Sequence, residues 1–260
     1  MEKNLSTQKH IINSISRAVD ILELFDQYNL ELGVTEIANK LNLHKSSVHR
    51  IVSTLEHKGI LEKNSTNSKY RLGIKLYIIG ILARNENELI AVSIPHLKRL
   101  TEISGETTNL VVLNGCKCLY IAQQTSDKMV RIFTKIGAKI LPHCTAVGKV
   151  LLSEMEENEI EHIISVNGLP SYTKNTITKK EKLLEELRKA RAEGYAMDDE
   201  EREEGVMCIA APIRDRNKTI IAAISISGPK YRFDNSDIDK YILAVKEEAA
   251  AISKELGFKP

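Results

Sequence analysis

The chain has 260 residues, 37 Lys plus Arg against 35 Asp plus Glu, and a hydrophobic share of 42%. That length gives one or two domains with room for a sizeable core, and the near-balance of charge excludes a uniformly basic or acidic polypeptide. The absence of Trp and the presence of only 6 Pro leave nothing of a fibrous or proline-rich class.

The opening segment, MEKNLSTQKHIINS, has neither an apolar signal core nor a small-residue cleavage site. The longest apolar stretch, Leu76–Ala83, is far short of a membrane span. A cytoplasmic protein is therefore expected, with Cys116, Cys118, Cys144 and Cys208 as reduced thiols.

In chain order, a first helix is expected after Asn13 or Ser14, either of which can cap it, with Ile15, Ala18, Val19, Leu22 and Phe25 on one face. A short helix follows in VTEIANKLNL, with Thr35 as its N-cap and Ile37, Ala38 and Leu41 turned inward. Asn42–His44 makes a tight connection to a helix over Lys45–Lys58, which Gly59 stops. Two short strands, near Ile60–Lys63 and Lys69–Leu72, flank the polar turn Asn64–Ser68. Three helices and such a hairpin make a winged helix-turn-helix.

Gly73–Asn85 reads as a helix that is apolar nearly all round, and such a helix must be buried. A small terminal domain offers little cover, so a partner subunit is expected over it, with packing on the chain's own domains as the alternative. Beyond Glu88 the pattern becomes α+β. A helix over Ala91–Ser104 leads to strands in ETTNLVVLN and KCLYIAQQ, joined at Asn114-Gly115, and a further strand is expected at Val130–Lys135. Helices follow near Val147–Met155 and Glu157–Val166, and another after Thr178, whose spacing to Glu181 is that of a capping box. VMCIAAPIRD and KTIIAAISISG form a long hairpin, and an amphipathic helix spans roughly Ser236–Leu256. The result is an antiparallel sheet flanked by helices.

Charge is unevenly placed. From Ile37 to Lys75 there are eight bases and two acids, Glu56 and Glu62, with His44, His49 and His57 among them. On the helix from Lys45, residues Val48, Ile51, Val52 and Leu55 face one side. Ser46, Arg50, Ser53 and His57 centre the other, and Lys45, Ser47, His49 and Thr54 flank it. A major groove admits an α-helix and suits this surface, with hydroxyls for phosphate and longer donors for base edges. Lys63 and Lys69 bracket the hairpin tip, and Lys9 and Arg17 are placed for flanking phosphates. A basic face touching only solvent is the bland alternative.

The stretches SISRAVDILELF (14–25), VTEIANKLNLHKSSVHRIVSTLEHKGIL (34–61) and YRLG (70–73) resemble the IclR family of bacterial transcription regulators. PHLKRLTEISGETTNL (95–110), LPHCTAVGKVLLS (141–153), GYAMDDEEREEGVMCIAAPIRD (194–215) and AAISISGP (222–229) resemble the family's effector-binding domain in the same order. One departure is that Asn42-Leu43-His44 stands where the family usually has Gly-Leu-Pro, which bears on operator sequence.

The resemblance implies a winged helix-turn-helix over residues 9–72, a linker helix over 73–88, and a GAF-like or profilin-like effector domain over 89–260. It implies a regulator, taken here as a repressor, that binds double-stranded operator DNA as a homodimer or dimer of dimers. Its candidate DNA contacts are Arg17, Thr35, His44, Lys45, Ser46, Ser47, His49, Arg50, Lys63 and Lys69. A small organic-acid or sugar-acid effector, a carboxylate, is implied for a site formed by Met129 and Ile132 as an apolar wall, with Ala146, Val147, Asp198, Cys208, Ser225 and Ser227. Ser225 and Ser227 alternate along one strand and so share a face.

Three other readings stand beside this one. The chain is a sensor acting through protein partners; or Cys208, His143 and Asp198 form a thiol nucleophile with its base and orienter, although no hydrolase signature surrounds Cys208; or Cys116, Cys118, His143 and Cys144 hold zinc. The expected strand alternation puts Cys116 and Cys118 on one face, and paired CxxC spacing is absent, so buried free thiols fit better than zinc. No cofactor or membrane partner is implied. The acidic run Asp198–Glu204 reads as a solvated loop, Asp198 excepted.

Overall fold

A computed structural model describes residues 11–26, 28–85, 88–233 and 235–259. Lys9 and the ends of two expected segments, residues 9–10 and 86–87, lie outside them. The chain divides into two compact units, residues 1–86 and 87–260.

In the first unit, α1 (Asn13–Glu23), α2 (Val34–Leu41) and α3 (Lys45–His57) precede a hairpin of β1 (Leu61–Lys63) and β2 (Tyr70–Leu72). The helices enclose Ile21, Ile37, Val48 and Val52, and the hairpin adds Leu61 and Tyr70. Each such side chain contributes roughly 1.5–3 kcal/mol by leaving water. Leu32 and Tyr70 exchange backbone hydrogen bonds of 2.9 Å, which tie the hairpin to the connection between α1 and α2.

Local starts differ from expectation. The α1 N-cap is Ile12, with no side-chain cap, rather than Asn13 or Ser14. Thr35 lies inside α2; the cap is Gly33, whose N–H donates to Glu36 Oε2 at 2.6 Å. A glutamate three residues on reaches back to the cap, so no hydroxyl is needed. Asn42 closes α2 in the left-handed region (φ 51°), which Asn tolerates better than most side chains, and His44 then caps α3. Ile15 and Val19 are exposed, whereas Ile21 is fully buried. The apolar face read from the sequence is thus only partly the one that meets this unit's core.

The hairpin is followed by α4 (Ile74–Asn85). Ile74, Tyr77, Ile78 and Leu82 are all at least half exposed, so the core of their own unit does not cover them.

The second unit holds a six-stranded antiparallel sheet of order β5-β4-β3-β8-β7-β6. Its strands are β3 (Thr107–Asn114), β4 (Lys117–Gln124), β5 (Lys139–Ile140), β6 (Ala196–Asp199), β7 (Val206–Arg214) and β8 (Ile220–Pro229). On one face, α5 (Glu88–Ser104) and α9 (Asn235–Glu255) pack over Ile209, Ile213, Ile224 and Ile226. On the other, α6 (Ala146–Leu152) packs over Val111, Ala210 and Ala223. A further cluster joins α7 (Glu157–Asn167) to α8 (Lys180–Glu193) through Ile160, Ile163, Leu183 and Leu187.

The α+β class is as expected, with four local corrections. Val130–Lys135 is not a strand; the edge strand is the two-residue β5. The turn between β3 and β4 is Gly115-Cys116, so Cys116 is not on a strand face beside Cys118. Thr178 does not cap α8, which starts after Lys179. The acidic run is not wholly solvated: its beginning forms β6, and Glu201 is buried.

Candidate functional site

In the first unit, α3 presents its N-terminal turns outward. His44, Lys45, Ser46, His49 and Arg50 are exposed, Ser47 is half-buried, and Val48 and Val52 anchor the helix from behind. Within α3 no carboxylate occurs before Glu56. A groove of about 650 Å³ between α1 and α3 brings Arg17 together with Ser47, Arg50 and Thr54. A second, of about 430 Å³, lies between the start of α2 and the hairpin, and is bounded by Thr35, His49, Lys63 and Lys69. Lys63 Nζ sits 5.8 Å from the Tyr70 ring centroid. Lys69 is already engaged: its Nζ lies 2.9 Å from Glu36 Oε1. His44, Lys45 and Ser46 line neither groove and stand at the tip of α3.

In the second unit, β-sheet register assembles a polar stripe. Asp198 is opposite Cys208, Cys208 opposite Ser227, and Ser227 opposite Thr107; Ser225 is opposite Asn109. Ser225, Ser227, Asp198 and Asn109 are buried. Asn109 Nδ2 donates to Ser227 Oγ at 3.3 Å and to Ser225 Oγ at 3.5 Å. Its carbonyl oxygen accepts from Gln123 Nε2 at 3.2 Å and from Thr134 Oγ1 at 2.5 Å. Ala146 and Val147 are buried at the start of α6, whose cap is Thr145.

Burial pushes the Asp198 carboxyl up to about 7, against the pull of backbone N–H groups of Glu201 and Arg202. Glu201 N–H reaches Asp198 Oδ1 at 2.8 Å. Burial, with the charge of Asp198 added, holds the Cys208 thiol far above its usual range. That environment opposes formation of a thiolate nucleophile. His143 Nε2 is bonded to Pro170 O at 3.1 Å, and among the described residues no hydrogen bond joins His143 to Cys208 or Asp198. Nor, among them, does any group of three or more His, Cys, Asp and Glu stand ready for a metal ion.

Met129 is 99% exposed and Ile132 half-buried, on an irregular segment rather than a strand. Met129 therefore forms no wall in this conformation. Asn109, Gln123 and Thr134 were missed from sequence; for Asn109 and Gln123 the signal was a polar residue inside an otherwise apolar strand. Arg202 was also missed. Its guanidinium lies 3.8 Å from the Tyr172 ring centroid, the geometry of a cation–π contact.

A winged helix-turn-helix with an uncovered basic face, followed by a separate α+β unit with a buried polar stripe, is the layout of a two-domain transcription regulator. The IclR helix-turn-helix domain model matches residues 14–65, and the bacterial transcriptional regulator IclR C-terminal model matches residues 82–254. The chain is 32% identical to the HTH-type transcriptional regulator XynR of Escherichia coli, covering 95% of this chain and 98% of that one. It is 30% identical to the HTH-type transcriptional repressor AllR of Salmonella typhi, covering 95% and 91%. A solved IclR homolog from Microbacterium hydrocarbonoxydans, complexed with 4-hydroxybenzoate, matches with a TM-score of 0.83 at 26% identity, covering 94% of this chain and 98% of that one. The chain belongs to the IclR family of transcriptional regulators. Proteins of this kind regulate transcription rather than catalyse a reaction, and among the described residues no helix is long and apolar enough to cross a membrane.

Proposed function

We propose that this chain is a cytoplasmic repressor that holds double-stranded operator DNA and is controlled by a small carboxylate bound in its second unit. The observation that carries the reading is the outer face of α3, where five exposed residues (His44, Lys45, Ser46, His49 and Arg50) lie on a helix anchored by Val48 and Val52. Arg50 reads a base edge from the major groove, and Lys45, Ser46 and Ser47 bind phosphate with His44 and His49 beside them. Arg17, Thr35, Lys63 and Lys69 contact the flanking backbone.

The domains divide as a reading head over 9–72, a linker over 73–88 and a sensor over 89–260. A second copy of the chain covers the apolar face of α4, giving a homodimer or a dimer of dimers and a pseudo-palindromic operator. The name of the Salmonella relative supports repression. The 4-hydroxybenzoate of the Microbacterium homolog, itself a carboxylate, supports the effector class. The effector lies along Asp198, Cys208, Ser225 and Ser227, with Ala146 and Val147 above and Ile132 at the edge. Met129 would join only if its segment folds over. A few convergent polar groups in an apolar surround are what a small-ligand site requires.

The test is a gel shift with DNA from upstream of the protein's own gene, at low salt, repeated with a panel of small organic and sugar acids and with Arg50→Ala. A specific shift that Arg50→Ala weakens and one acid releases is the expected result. Salt-independent binding, or no binding even to selected random duplexes, would overturn the DNA reading.

A further inference from the structure

The hairpin of the first unit is fixed in place, and one of its two flanking bases is neutralised from within the chain. Glu31 accepts from Asn64 Nδ2 at 2.9 Å and from Asn67 Nδ2 at 2.7 Å, which pins the tip to the connection before α2. Within the tip, Lys69 N–H donates to Asn67 Oδ1 at 2.9 Å, and Asn64 N–H to Lys69 O at 2.8 Å. The Lys69 backbone therefore has no freedom, and only its long side chain can choose a partner. That partner is Glu36, 2.9 Å away.

Across the same groove, Lys63 has no carboxylate partner among the described residues, and His49 of α3 forms a further wall. Among the described residues lining this groove Glu36 is the one acid, paired with Lys69 and within the field of Lys40. It is held there for a local reason: its other oxygen takes the Gly33 N–H. Both members of the ion pair are well exposed, with 38% and 45% of their side-chain surface accessible. Exposed pairs of this kind are weak and screened by salt, so a phosphate can compete for the lysine.

We propose that Glu36 is a built-in counter-anion: in the DNA-free protein its carboxylate occupies Lys69, and a backbone phosphate of the duplex must displace it before the hairpin can grip. This rests on the DNA-binding reading above. It makes Glu36 a positioning residue that sets how strongly the hairpin holds DNA while touching no base. Removing its charge while keeping its hydrogen bond to Gly33 leaves Lys69 free in advance.

Glu36→Gln does this, because the amide oxygen still accepts the Gly33 N–H. The full chain is titrated against two labelled duplexes, one from upstream of its gene and one scrambled, over a series of KCl concentrations, as wild type, Glu36→Gln, Lys69→Ala and the double variant. Thermal midpoints report that each is folded. Glu36→Gln is expected to bind both duplexes about three- to tenfold tighter at low salt. Its slope of log K against log salt should match the wild type, because Lys69 ends on a phosphate in both, and Lys69→Ala should flatten the slope by about 0.9 in either background. Lys69→Ala should abolish that gain in the double variant and change the wild type far less. A slope that Lys69→Ala leaves unchanged overturns the proposal. So does a gain that survives in the double variant, since that would reflect only the loss of one negative charge near DNA. Wild type that binds neither duplex at any salt would instead sink the DNA-binding reading itself, and this inference with it.

Discussion

Lys149 Nζ lies 2.5 Å from Glu201 Oε1, and both side chains are buried. The pair fastens the loop after β6 to α6, across the sheet face that carries Asp198 and Cys208. Two charges taken from water hold together there, and the second carboxylate oxygen of Glu201 has no hydrogen-bond partner. Breaking such a pair from one side is costly because the remaining charge is stranded. Lys149→Met should lower unfolding free energy by roughly 3–5 kcal/mol in urea titration. Lys149→Met combined with Glu201→Leu should recover much of it. Losses that simply add would show that the two residues are not energetically coupled.

Asp198 gives a pH dependence of definite sign. Its folded carboxyl titrates at about 7, because burial penalises the charge, while an unfolded aspartate titrates near 3.9. Between those values the folded state keeps a proton that the unfolded chain has lost, so the contribution of this residue to stability falls as pH rises across the window. Asp198→Asn keeps the acceptor for Glu201 N–H and carries no such proton. Its stability relative to wild type should rise by up to about 1.4 kcal/mol per pH unit between roughly pH 4 and 7. Urea unfolding at stepped pH checks this; a constant difference would mean that folded Asp198 is charged throughout.

Gly148 sits where no side chain fits. A Cβ there would lie 2.2 Å from Pro142 O and 2.3 Å from Pro142 Cα, both backbone atoms. Gly148→Ala must push the Pro142–Cys144 turn away from α6, at a cost of about 1–3 kcal/mol or more. A lowered thermal midpoint is the expected result, and an unchanged one would show that the turn yields freely.

The exposed side chains of α4 predict association. Ile78→Asp, which removes no contact within the described core, should weaken self-association by roughly tenfold or more in sedimentation equilibrium. Thermal unfolding at high dilution should change little. A wild-type chain that sediments as a monomer at all concentrations would refute the proposed interface.

The order of elements was legible because each carries its own local signal. The α3 wheel separates Val48 and Val52 from Arg50 without reference to any other segment, and Gly59 and Gly194 mark helix ends in left-handed geometry. What covers an apolar residue was not legible. Ile15 and Val19 belong to the same periodic stripe as Leu22, yet they are exposed while Ile21, off that stripe, fills the core. Periodicity records where apolar groups lie along a helix, and tertiary packing decides which of them meet. Among the site residues, the Ser225 and Ser227 face followed from strand alternation. Asn109 could be placed beside them only by the pairing of β3 with β8, which no local pattern encodes. Val130–Lys135 has the composition of a strand but pairs with no strand among the described residues, so it stays irregular.

That same pairing sets an order of events during synthesis. Thr107 cannot find Ser227 until the chain has been made at least as far as Ser227, and β3 is then enclosed between β4 and β8. The first unit closes through neighbours only tens of residues apart, from Ile21 to Tyr70. Local contacts form fast, and a chain emerging at about 5–20 residues per second leaves ample time for them. On the ribosome, the helix-turn-helix unit is complete before the second unit has its central strands.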